Sequence, residues 1–380
     1  MNFYKLLFFR KDLFQKSVKE EKTRNSNIEL LKILALFLIT IQHVLTSTNI
    51  NFECSTYDFP TVFLALFRYS GIVGNIIFVI CSSWFLIDSK NSSKKKIFYL
   101  VTDTFIISII WLIFMLIIYN GLHIKWIIKS FFPLIFKNNW FISCYILFYL
   151  LHPFLNVIIN KLSNVEHFRI LCVLVIIYCM VQFIVSNSFF YNELIGFIVI
   201  YFVVSYLKKY CIKFQNSIKA NVIILFLSLF INIILLLTTN FLGLRYAIFS
   251  DKVLYWSHNM CNPFSILIGI SLFNIFNDRR LLHNKFINNL SSISLVYYLI
   301  HENILFRTFL RPKIYNILES YFGIYSSILI LILIIFNLGL LVSLIYKYTI
   351  QKIVYKKLNI VYEKIKNYYC KFEKKLINIR

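Results

Sequence analysis

The segment IELLKILALFLITIQHV, residues 28–44, decides the fold class and carries the first functional signal. It is apolar enough to cross a bilayer as a helix, yet it contains Glu29, Lys32 and His43. At about 100° per residue, the step from Lys32 to His43 turns through roughly 1100°, so both side chains lie on one face, about 16 Å apart along the axis. Glu29 lies on the same stripe. An ionisable residue in hydrocarbon costs roughly 2.5 to 3.5 kcal/mol, so this face predicts a polar cavity behind it.

Apolar runs of similar length recur along all 380 residues, of which 59% are hydrophobic. The pattern predicts an all-α, polytopic membrane bundle with about ten transmembrane helices. The predicted spans are 29–48, 69–88, 98–119, 140–159, 169–186, 189–207, 220–242, 260–277, 288–307 and 324–346.

The formal net charge of +24 follows from this topology. With a cytoplasmic N-terminus, 30 of the 40 Lys and Arg residues fall on the cytoplasmic side of the predicted spans. That asymmetry is the positive-inside pattern, and it places both termini in the cytoplasm. The basic excess therefore reports a multi-pass protein of the cell membrane, in contact with membrane lipid, rather than a nucleic-acid partner.

Three regions follow along the chain. Residues 1–27 form a basic cytoplasmic segment without the apolar core of a signal peptide, and residues 28–346 form the membrane bundle. Residues 347–380 mix lysines with apolar residues, which is typical of a basic amphipathic helix on anionic lipid and equally of a solvated continuation of the last span. The eight cysteines have no Cys-x-x-Cys spacing, so neither a metal site nor a disulfide framework is predicted.

Four stretches resemble a known family. A basic residue and a histidine separated by ten residues, in 28–44, are similar to the signature of the acyltransferase family 3 membrane proteins. GNIIFVICSSWFLIDSK (74–90), NNWFISCYILFYLLHPFLN (138–156) and ISLVYYLIHENIL (293–305) resemble further stretches of that family in the expected order. The family usually has arginine where this chain has Lys32, and lysine lacks the planar fork that binds a phosphate or carboxylate through two hydrogen bonds.

The resemblance implies a membrane O-acyltransferase. It would move an acyl group, most simply acetyl, from cytoplasmic acyl-CoA to a hydroxyl of an extracytoplasmic polysaccharide or its lipid-linked precursor, in the inner (cytoplasmic) membrane of a bacterium. Acetyl-CoA would be the donor substrate, and no permanently bound cofactor is expected. A transporter or flippase for a cell-envelope glycan intermediate is the alternative, because the same polar residues would serve substrate or proton binding.

The chemical types of several residues, and their expected depth in the membrane, suggest catalytic and binding roles for them. His43 and His301 are expected at comparable depth in the outer half of the membrane, and imidazole is suited to accept and return a proton near neutral pH. His43 is the predicted general base or acyl carrier, with His301 and Glu302 as further catalytic candidates. Lys32 and Glu29 are the predicted donor-binding residues. The candidate acceptor-binding residues are Trp140, Tyr145, Tyr149, Arg307 and Arg311.

Overall fold

The computed structural model describes residues 24–48, 50, 59–89, 92–119, 121–181, 192–246, 260–277 and 282–377, and within these ranges all regular structure is helical. The predicted basic N-terminal segment 1–27 therefore lies almost entirely outside the described residues. The helices are α1 (Ser26–Leu45), α2 (Phe59–Leu86), α3 (Lys94–Ile118), α4 (Ile124–Phe131), α5 (Trp140–Lys161), α6 (Asn164–Val175), α7 (Glu193–Tyr210), α8 (Ile212–Gln215), α9 (Ile218–Arg245), α10 (Pro263–Asn277), α11 (Lys285–Ser291), α12 (Ser294–His301), α13 (Arg311–Phe322), α14 (Ile324–Tyr346) and α15 (Lys352–Ile377). Short π-helical turns follow α6, precede α13 and join α14 to α15.

The all-α prediction is confirmed for the described residues, and seven helices are long and apolar enough to cross a membrane. The seven are α1, α2, α3, α5, α6 with its π turn, α9, and α14 with its continuation to Lys364. The predicted number of ten is not confirmed. Two of the remaining predicted spans correspond to α7, which ends in basic residues, and to α10, which has only 15 residues.

The prediction of one continuous span over 288–307 is wrong. The chain forms α11, turns at Ser292, forms α12, and stops being helical at Glu302 and Asn303. The side-chain oxygen of Asn303 accepts a hydrogen bond from the N–H of Leu305, a local turn that competes with the helical ladder. The polar residues therefore interrupt a segment that hydropathy alone treats as uniform.

Close packing of α1 against α2 depends on two glycines. A side-chain carbon at Gly71 would overlap Gln42, and one at Gly74 would lie 2.5 Å from the carbonyl oxygen of Ala35 and 2.8 Å from Ile39. The two glycines thus let the helix backbones approach, as small residues commonly do between membrane helices. The order of these contacts also shows that α1 and α2 run antiparallel.

Hydrogen bonds hold the start of α1 against α11. Asn25 caps α1 by accepting from the N–H of Asn27, and Ser26 donates its hydroxyl to Asn288 at 2.8 Å. The N–H of Ser26 donates to the carbonyl of Leu282 at 3.0 Å. Because these bonds fix the beginning of α1, they also fix the position of the polar face that follows.

The basic tail begins as a direct extension of α14. Asp103 of α3, a buried carboxylate, accepts hydrogen bonds from Tyr346, Gln351 and Tyr355. The rings of Tyr99 and Tyr355 stack with centroids 3.9 Å apart. The first turns of the predicted amphipathic tail therefore pack on the bundle, as a continuation of the last span.

Replacing Gly74 with alanine tests the close α1–α2 contact. The added carbon would meet backbone rather than a flexible side chain, so the helices must separate, which we expect to lower the free energy of unfolding by about 1 to 3 kcal/mol. Thermal unfolding of the purified protein in detergent measures the change. Phe63→Leu, on an outward face of the same helix, is the control and should leave the midpoint unchanged; equal midpoints for both variants would contradict the packing argument.

Candidate active site

The polar face of α1 begins with an ion pair. The Nζ atom of Lys32 lies 2.9 Å from an oxygen of Glu29, one helical turn earlier, and both side chains are largely buried. Opposite charges at this spacing satisfy each other, which lets both groups lie within an otherwise apolar bundle.

A cavity of about 530 Å³ extends from this ion pair toward His301. Its polar rim includes Arg24, Lys96 and Ser292, and its interior is mainly aromatic and aliphatic. The lining residues are Arg24, Glu29, Lys32, Leu36, Ile39, Asn75, Phe78, Cys81, Ser82, Phe85, Leu86, Lys96, Phe141, Ile142, Tyr145, Tyr149, Ser291, Ser292, Ser294, Leu295, Tyr298 and His301. A cavity is therefore present behind α1 in the described part of the chain, as predicted, but its lining is mainly apolar rather than polar.

At the far end of the cavity the structure brings together the three predicted catalytic residues. The Nδ1 atom of His43 lies 3.1 Å from Nε2 of His301 and 3.0 Å from an oxygen of Glu302. His301 is buried and lines the cavity, whereas His43 lies directly behind it, with the ring centroids 5.3 Å apart. Residues 258 positions apart in sequence thus form one cluster.

The hydrogen-bond partners determine which imidazole nitrogens carry protons. His301 Nδ1 faces the carbonyl of Tyr297 at 2.9 Å, and a carbonyl only accepts, so this nitrogen is the donor and Nε2 is an acceptor. His43 Nδ1 then faces two acceptors, His301 Nε2 and the Glu302 carboxylate, and must carry the proton itself. In neutral His43 the remaining nitrogen, Nε2, therefore keeps its lone pair.

Two arginines neutralise the carboxylate of Glu302. Arg311 lies 2.8 Å from one oxygen and Arg307 lies 3.0 Å from the other. Arg311 also donates to the backbone carbonyls of His43, at 2.6 Å, and His301, at 3.1 Å. One guanidinium group therefore fixes the ends of two helices and a carboxylate relative to each other, which its planar array of donors permits.

The local fold explains how these groups meet. α12 ends at His301, so Glu302 and Asn303 are free to turn back toward α1. The π turn Phe306–Leu310 follows, and α13 begins at Arg311 with a proline next to it. The interruption of the predicted span is what places the carboxylate and both guanidinium groups around His43.

The predicted acceptor-binding residues do not form one surface. Tyr145 and Tyr149 line the cavity that contains Lys32, and the hydroxyl of Tyr149 accepts from the N–H of Ser93 at the start of α3. Trp140 is the first residue of α5 and does not line the cavity; its ring lies 5.6 Å from that of Phe141. The two tyrosines therefore belong to the Lys32 side of the cavity.

Arg311, predicted to bind an acceptor, is buried and paired within the protein. Its side chain is 1% exposed and its Nη atoms are bonded to protein acceptors, because the buried carboxylate and two helix-end carbonyls require a cation. Arg307 differs, since 34% of its side chain is exposed. Of the two, Arg307 alone offers an accessible positive charge beside the cluster.

The ligand atoms of His43, His301 and Glu302 lie within 4.8 Å of one another, a spacing compatible with a metal ion. The hydrogen bonds of Glu302 and His301 favour a role other than metal binding. Two guanidinium groups already compensate the only carboxylate, and His301 Nε2 is already occupied by the proton of His43. We therefore interpret the cluster as a proton-transfer group.

Several supporting residues were not identified from the sequence. The hydroxyl groups of Thr40 and Tyr297 lie 2.7 Å apart, Trp111 donates to the carbonyl of Ile300, and Asn139 donates to the carbonyl of Glu302. Thr40 lies three residues before His43 and therefore near its face of α1, a signal that was present in the sequence. The partners of Trp111 and Asn139 lie on distant elements, so no local pattern indicates them.

Comparison with known families gives one match. The sequence model of family 3 of the acyltransferases, described as an acyltransferase domain, matches residues 25–348, most of the chain. Comparison with curated proteins and with solved structures gives no match. The matched range includes α1, the cavity and the whole His43 cluster.

Replacing each arginine with leucine separates their structural contributions. Arg311→Leu leaves Glu302 and two carbonyls buried without their main partner, and we expect a loss of about 3 to 5 kcal/mol in the free energy of unfolding. Arg307→Leu, the matched control, removes a partly exposed pair and should cost at most about 1 kcal/mol. Thermal unfolding in detergent measures both, and a larger effect at Arg307 would contradict the central role of Arg311.

Proposed function

Given that the chain belongs to the acyltransferase 3 family of membrane acyltransferases, we propose that it is an O-acyltransferase. Its donor is cytoplasmic acyl-CoA, most simply acetyl-CoA. Its acceptor is a hydroxyl of an extracytoplasmic polysaccharide or of its lipid-linked precursor. The protein then acts in the cytoplasmic membrane and joins a donor found on one side to an acceptor found on the other.

The observation that carries the proposal is the cavity that joins Lys32 to His301. Acyl transfer across a membrane needs a passage for the donor and a base at its end; the cavity would serve as the passage, and the histidine cluster would supply the base. With the topology that the positive-inside pattern predicts, the Lys32 end opens to the cytoplasm and the His43 end lies toward the outer surface. The thioester of the donor is then directed from Lys32 toward the histidines.

Donor binding follows from the charges at the cavity mouth. Arg24, Lys32 and Lys96 line the cavity at one end, and phosphate groups of CoA carry the complementary charge. Tyr145 and Tyr149 lie on this side, so we propose that they contact the donor rather than the acceptor sugar. Trp140 and Arg307 remain the proposed acceptor-binding residues, because both lie toward the His43 end.

The proposed chemistry uses His43 Nε2 as the base. This nitrogen removes the proton from the acceptor hydroxyl, whose oxygen attacks the thioester carbon. The carbon–sulfur bond then breaks, the new ester leaves, and the CoA thiolate takes the proton back from His43. An acyl group carried transiently on His43 fits the same arrangement, with the imidazole nitrogen attacking first and the hydroxyl second.

Glu302 serves this cycle as an electrostatic partner. When His43 gains a proton, its ring becomes cationic, and the carboxylate 3.0 Å from Nδ1 stabilises that form and holds the ring orientation. Arg311 keeps Glu302 ionised and positioned. His301 accepts a hydrogen bond from His43 where the cavity ends and so holds the ring of the proposed base in position.

The alternative function, transport of a glycan intermediate, predicts a different result in one experiment. Purified protein in lipid vesicles is given acetyl-CoA labelled in the acetyl group. An acyltransferase hydrolyses the thioester or transfers the label to added glycan, whereas a transporter leaves the donor unchanged. Unchanged donor would overturn the proposed function.

Replacement of His43 with alanine tests the base. We expect acetyl transfer to fall by more than tenfold, because no other described group offers a free nitrogen lone pair in this cluster. His283→Ala, at an exposed histidine, is the control and should keep normal activity. The initial rate of label transfer and the melting temperature are measured together. Activity of His43→Ala above about a tenth of wild type, with an unchanged fold, would remove His43 from the catalytic role.

Substitution of Lys32 tests donor binding. Lys32→Ala should raise the KM for acetyl-CoA about tenfold or more with a smaller change in kcat, since a cation for the donor is lost and Glu29 is left unpaired. Lys32→Arg keeps the charge and should retain or improve donor use. Lys219→Ala, at an exposed lysine of α9, is the control. An unchanged KM in both Lys32 variants would mean that Lys32 only packs.

A further inference from the structure

The wall of the cavity contains polar side chains that the described bundle leaves unpaired: the hydroxyls of Ser291 and Tyr298, which are sealed within the packing, and the carboxamide of Asn75. Asn75 is only 4% exposed and lines the cavity, yet its carboxamide makes no hydrogen bond to another described residue. Its nitrogen and oxygen are not sealed within the packing, so they open onto the cavity. A buried amide without hydrogen bonds costs roughly 1 to 3 kcal/mol, so its presence requires an explanation.

Two other buried asparagines, Asn156 and Asn274, bond to protein groups on neighbouring helices. Asn156 donates to the carbonyls of Leu86 and Ser89, each at 2.9 Å, and Asn274 donates to Asn221 at 2.9 Å. These residues tie helices together. Asn75 makes no such hydrogen bond to another helix, which points to a ligand in the cavity as its partner.

The depth of Asn75 follows from the packing of α2 on α1. Gly74 meets Ala35 and Ile39, so the adjacent Asn75 lies level with residues 35–39 of α1. At 1.5 Å per residue, this level is roughly 5 to 10 Å above Lys32 and about 6 to 12 Å below His43. Asn75 therefore lies between the donor's charged end and the histidines.

We propose that the Asn75 carboxamide binds the amide group of the pantetheine arm that is nearer the thioester of acyl-CoA. The identity of this ligand rests on the proposed function. An amide presents one N–H donor and one carbonyl acceptor, and the Asn75 side chain offers the complementary oxygen and NH₂ group. Both groups are then satisfied without any contribution from the bundle.

The distances agree with this assignment. With the thioester carbon at the end of the cavity, next to the His301–His43 pair, the nearer amide lies four to six bonds from that carbon, about 5 to 8 Å in an extended chain. That range overlaps the distance between the level of Asn75 and His43. Asn75 is thus a positioning residue: it sets how far into the cavity the donor advances and hence where the thioester carbon stops.

The first test compares Asn75→Leu, which keeps the side-chain volume but cannot form hydrogen bonds, with wild-type protein in lipid nanodiscs. We expect the variant to bind acetyl-CoA about tenfold more weakly and to raise KM by the same factor, as for one lost hydrogen bond. Its melting temperature without donor should not fall, because an apolar group of similar shape replaces an unpaired amide. Should Asn75→Leu fail to fold, Asn75→Ala gives the same comparison.

Asn337→Leu is the matched control. This asparagine is exposed on α14, where its amide bonds only to the carbonyl of Leu333 in its own helix. Donor affinity and KM should equal those of wild type. Unchanged affinity in the Asn75 variants would overturn the proposal.

The second test changes the ligand. Wild-type protein should prefer acetyl-CoA about tenfold over a donor in which the nearer amide is an ester, and Asn75→Leu should show no such preference. A variant that weakens both donors by the same factor would overturn the assignment to this amide. If wild type binds acetyl-CoA without transferring acetyl, the proposed function fails while these affinities still decide the role of Asn75. If wild type binds neither donor, both are overturned.

Discussion

The arrangement of this bundle depends on the carboxylate of Glu302, which is shared by His43, Arg307 and Arg311. A buried carboxylate is stable only where cations and donors surround it, so this one group requires α1, the turn after α12 and the start of α13 to meet. Arg311 completes the arrangement by binding the carbonyls at the ends of α1 and α12. The helices that meet there also form the end of the cavity.

The cavity lies beside α1, which packs closely against α2 on one face and carries charged residues on another. On one side of α1, Gly71 and Gly74 allow α2 to approach until backbone atoms touch. On its polar side, the paired Lys32 and Glu29 prevent apolar side chains from filling the space. A helix that packs tightly along one face and carries charge along another therefore borders both a close helix contact and a cavity.

The helical periodicity of the sequence predicted a substantial part of the candidate active site. The face of α1 that carries Lys32 and His43 followed from helical geometry, because it depends on one helix alone; the equal depth of His43 and His301 was also predicted, although the turn at Ser292 divides the second span. The interruption at Glu302 was missed because a hydropathy average over twenty residues hides two polar ones. The burial of Arg311 was missed for another reason: its acceptors come from distant parts of the chain, and no local pattern encodes them.

The charges around Glu302 have a consequence for the membrane itself. Two guanidinium groups face one carboxylate, so the region beyond the histidines carries a net positive charge. Fixed positive charges in a narrow passage exclude protons and other cations, as in water channels. The excess positive charge at the end of the cavity therefore opposes the movement of cations beyond the histidines.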